Sequence, residues 1–112
     1  IAAVEKIQGE CSQFWSSNPN KKDLFSMIKL LFRLINDTNF KIAITALELL
    51  PQSFPLLDDK ALKEIGAELV SENFLMLSNS KKVLRGLALQ NLIKLIKVIA
   101  PFFGLLTRPW NL

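Results

Sequence analysis

Between residues 34 and 50 the chain reads LINDTNFKIAITALELL: one apolar run closes, Asn36 to Asn39 supply polar turn residues, and a second apolar run starts at once. On both sides the apolar positions recur every three or four residues, the spacing that gathers side chains on one face of an α-helix, whereas a strand requires alternation. The stretch therefore predicts two helices joined by a tight turn. One such pair cannot cover its own apolar faces, so the rest of the chain must pack against it.

The flanking sequence supplies those neighbours. Val4, Ile7, Cys11 and Phe14 follow at three, four and three residues, which predicts an amphipathic leading helix over 1–15. Ser16 to Lys22 collects turn formers around Asn18-Pro19. Asn20 is placed to cap a helix from Asp23 to Ile35, with Leu24, Ile28, Leu31 and Ile35 inward and Ser26, Lys29 and Arg33 outward. Asp37 or Thr38 is the expected cap of the next helix. There Ala43, Ala46, Leu47 and Leu50 form the inward stripe and Lys41, Thr45, Glu48 and Gln52 the wet one, until Pro51 and Ser53-Phe54-Pro55 end it. A further helix starts at Asp58 or Asp59, runs to about Leu77 and is expected to bury Leu62, Ile65, Leu69 and Phe74. Ser78-Asn79-Ser80 turns the chain again, with Ser80 as cap of a last helix reaching about Ala100. That helix is aliphatic outside the arc of Lys82, Gly86, Gln90, Lys94 and Lys97, so it is expected to be the most buried element. Residues 101–112 read as a partial element or a tail.

The fold class is thus all-α: stacked antiparallel helical hairpins over 23–54 and 58–100 behind the leading helix. With 112 residues, half of them hydrophobic, the chain forms a single helical-repeat domain or a fragment of one. It opens on isoleucine, which favours the fragment.

Composition removes several functions. There is no histidine, hence no imidazole acid–base catalyst or metal ligand. Cys11 is the one cysteine and sits on an apolar helix face, which reads as an inert buried thiol in a reducing, cytoplasmic setting. Asp58-Asp59 reads as a helix start rather than a catalytic carboxylate pair. No phosphate loop, zinc spacing or nucleophile elbow is present, and neither a cofactor nor a metal is expected. The best uncharged window contains Pro101 and Gly104, too short and too broken for a membrane span. The chain is expected to be soluble and non-enzymatic.

Ala46-Leu47-Glu48-Leu49-Leu50 lies over Ala88-Leu89-Gln90-Asn91-Leu92 at an offset of 42 residues, which also sets Thr38 over Ser80 and Ile42 over Leu84. Hairpins with a period of about 40–47 residues are typical of HEAT and armadillo repeats. Asn36-Asp37-Thr38-Asn39-Phe40-Lys41-Ile42, followed by Ala46-Leu47, resembles the hairpin turn of HEAT repeats, and especially of TOG domains, the tubulin-binding HEAT modules of microtubule-regulating proteins. The resemblance spans about Asp23 to Ala100. It implies an α-solenoid, a cytoplasmic and cytoskeletal location, and a tubulin-binding edge made by the turns within successive hairpins. On this chain that edge consists of Asn39 and Lys41 in one hairpin and Lys81, Lys82 and Arg85 in the other. The chain departs from the family in holding two hairpins and a leading helix, where TOG domains have more repeats. It also has no counterpart to the tryptophan of the first turn, since Trp15 beside Phe14 reads as a core or end-cap residue.

The charge is compatible with such a partner: fourteen Lys and Arg against ten Asp and Glu leave a net charge of +4, and basic groups steer toward acidic proteins. The alternative is a general HEAT-type scaffold or adaptor, in which the concave face or an exposed apolar end grips a partner helix. Nucleic acid is not the expected partner, because Glu48, Glu64, Glu68 and Glu72 interrupt any continuous basic stripe.

Overall fold

Polar caps set where the helices of this chain begin. The computed structural model describes the backbone of residues 2–100 and the side chains from residue 3, so residues 101–112, Trp110 among them, lie outside the described residues. Among the described residues there are five α-helices and no strand: α1 (Ala2–Ser16), α2 (Lys21–Ile35), α3 (Phe40–Leu49), α4 (Asp59–Leu75) and α5 (Lys82–Ile99). Asn18 turns the chain after α1 with φ of 57°, a left-handed conformation that asparagine tolerates. As expected, Asn20 caps α2, its side chain accepting from the Asp23 N–H, and Asp58 caps α4, accepting from the Ala61 N–H at 2.8 Å.

Two expected caps are displaced by one residue. Asn39, not Asp37 or Thr38, is the N-cap of α3; Asp37 acts one step earlier, accepting the Asn39 N–H at 2.8 Å. Lys81, not Ser80, occupies the N-cap position of α5, and it makes no side-chain cap. Asn79 accepts the Lys81 N–H at 2.8 Å, which fixes the turn ahead of α5 but leaves the first-turn amides of that helix without a side-chain acceptor. Both turns therefore rest on an Asx side chain two residues ahead of the N-cap.

α2 packs on α3, α4 packs on α5, and α3 also meets α5 and α1. Lys21 of α2 forms an ion pair with Glu64 of α4. The core runs through Ile28, Leu31, Ile35, Leu47, Ile65 and Leu95, all essentially inaccessible to solvent. The alanines Ala43 and Ala46 are fully buried where α3 is enclosed by its neighbours. The most enclosed helix is thus α3 rather than α5. α5 buries Leu84, Ala88, Asn91, Leu92 and Leu95 but leaves Leu89, Ile93 and Ile96 exposed, because among the described residues no element packs on that flank. Phe74, expected inside, is 63% exposed for the same reason. Thr45, expected on the wet stripe, is 3% exposed; its hydroxyl donates to the Lys41 carbonyl at 2.8 Å, which allows burial without loss of a partner.

Pro51 ends α3 at Leu49, and residues Leu50–Leu56 continue as a 3₁₀ segment. Proline has no N–H, so the Leu47 carbonyl, which would ordinarily receive the N–H of residue 51, has no helical donor. The donor comes from another helix. Asn91 Nδ2 donates to the Leu47 carbonyl at 2.9 Å and to Asn73 Oδ1 at 3.2 Å, while Asn73 Nδ2 donates to the Leu69 carbonyl at 2.8 Å. This buried amide pair ties α3, α4 and α5 together.

Candidate functional site

The turns ahead of α3 and α5 are built alike. In the first, the Asp37 carboxylate holds the Asn39 N–H and the Asn39 side chain holds the Lys41 N–H at 3.0 Å. In the second, Asn79 takes the place of Asp37, 42 residues later, and Lys81 takes that of Asn39. The helix starts, Phe40 and Lys82, keep the same offset. Asn39 therefore sits on the edge with its carboxamide oxygen engaged by the backbone, and Lys41 follows it as an exposed side chain.

The two turns also touch. Lys81 Nζ lies 5.0 Å from the centroid of the Phe40 ring, within the range of a cation–π contact, worth about 0.5–1 kcal/mol at an exposed site. This contact joins the second turn to the first through Phe40, the residue between Asn39 and Lys41 in sequence, and Asn39, Lys41, Lys81 and Lys82 are all exposed. Arg85 is placed differently. Its Nη1 donates to the Asn79 carbonyl at 2.8 Å and the Ser80 carbonyl at 3.2 Å, so its guanidinium holds the turn together and is only partly exposed. Phe40, 43% exposed, belongs to this edge although the sequence did not single it out. Its only signal was an aromatic side chain at the first position of an otherwise polar helix start. Asp37 and Asn79 were legible through the 42-residue offset, which lays one over the other.

A second surface feature lies away from the turns. α4 and the end of α5 enclose a groove of about 640 Å³, walled by Leu62, Gly66, Val70 and Phe74 of α4 and by Ile99. Among the described residues Lys63 is the one charged residue lining it.

Elsewhere, burial and, to a smaller extent, the neighbouring Glu10 carboxylate push the Cys11 thiol up, which keeps it protonated and unreactive. Trp15 packs edge-on against Phe14 with ring centroids 5.3 Å apart, and its buried indole N–H has no partner among the described residues. Among the described residues no three His, Cys, Asp or Glu side chains gather closely enough to hold a metal ion, and no helix is long and apolar enough to cross a membrane. No family model, curated protein or solved structure matches the chain.

Proposed function

We propose that the protein is a non-enzymatic interaction module of HEAT type, in which the two turns form one edge that binds an acidic protein surface. The observation that carries this reading is the Lys81–Phe40 contact, which links two turns on which Asn39, Lys41, Lys81 and Lys82 are all exposed. The helical pairing of α2 with α3 and of α4 with α5 fits hairpins stacked as in an α-solenoid. The TOG-like resemblance of residues 36–47 names tubulin as the partner and the microtubule cytoskeleton of the cytoplasm as the setting. In this mechanism the lysines speed and orient the encounter, and Arg85 acts by keeping the second turn rigid.

Microtubule co-sedimentation together with a tubulin gel shift, each at low and moderate salt, tests the proposal. Binding is expected at low salt and is expected to weaken as salt screens the charges. Lys81→Glu with Lys82→Glu should abolish it, whereas reversal at Lys94 and Lys97 should not. Absence of binding at both salt concentrations would overturn the tubulin assignment.

A further inference from the structure

We draw no further inference here: the strongest candidate, the apolar groove between α4 and the end of α5, has Lys63 as its one charged residue among the described residues, and nothing in the structure shows what covers it.

Discussion

Asn91→Leu tests the link between Pro51 and the buried amide pair. The substitution keeps side-chain size and removes the donor to the Leu47 carbonyl and to Asn73 Oδ1. Both acceptors are buried, and the carbonyl has no alternative helical donor because residue 51 is proline. A buried polar group left unpaired costs about 1–3 kcal/mol, so two such groups, partly offset by the added leucine surface, give a net loss of about 2–4 kcal/mol. Urea denaturation followed by circular dichroism measures it as a lower midpoint at unchanged slope. The sharper measurement is a double-mutant cycle with Pro51→Ala. An alanine N–H at position 51 can serve the Leu47 carbonyl, so the loss caused by Asn91→Leu should shrink by about 1 kcal/mol in that background. An equal loss in both backgrounds, or a loss under about 0.5 kcal/mol in the first, would refute the assignment of Asn91 as the donor that proline displaced.

Other perturbations read other parts of the fold. Asp58→Ala removes the side-chain cap of α4 and should cost about 1 kcal/mol in chemical denaturation. Lys21→Ala breaks an exposed ion pair with Glu64 and should change stability by no more than about 1 kcal/mol, an effect that fades in salt. Ile28→Ala empties a fully buried site and should cost about 2–5 kcal/mol. The raised Cys11 thiol favours its protonated form in the fold, so native protein should resist thiol reagents until urea unfolds it. Its sign for stability follows: the contribution is fully present below the ordinary thiol range and is lost as pH rises above it.

Helix positions and two of the caps were legible because their causes are local. Asn20 and Asp58 each stand directly before an apolar period of three and four, and an oxygen acceptor there meets backbone donors whatever the remainder of the chain does. The faces of α4 and α5 were less legible. Period arithmetic identifies an apolar stripe but not whether another helix arrives to cover it, and Phe74 and Ile96 look as core-like in sequence as Leu69 and Leu95. Thr45 was misplaced by its residue type, since a hydroxyl bonded within its own helix needs no water. The turn residues Asn39, Lys41, Lys81, Lys82 and Arg85 could be proposed from the resemblance of residues 36–47 to HEAT and TOG turns. The proximity of the two turns could not, because it depends on how α3 lies against α5.

The start of α5 has a dynamic consequence. α2 and α4 begin with Asn20 and Asp23 and with Asp58 and Asp59, so oxygen acceptors and negative charge meet the positive end of each helix. α5 begins with Lys81 and Lys82, without a side-chain cap or an acidic residue in its first turn. Positive charge at the positive end of a helix opposes it by about 0.3–1 kcal/mol for each group. The amides of residues 82–85 should therefore open more often than those at the start of α4, giving faster hydrogen exchange there, and added salt or bound anionic groups should slow that fraying.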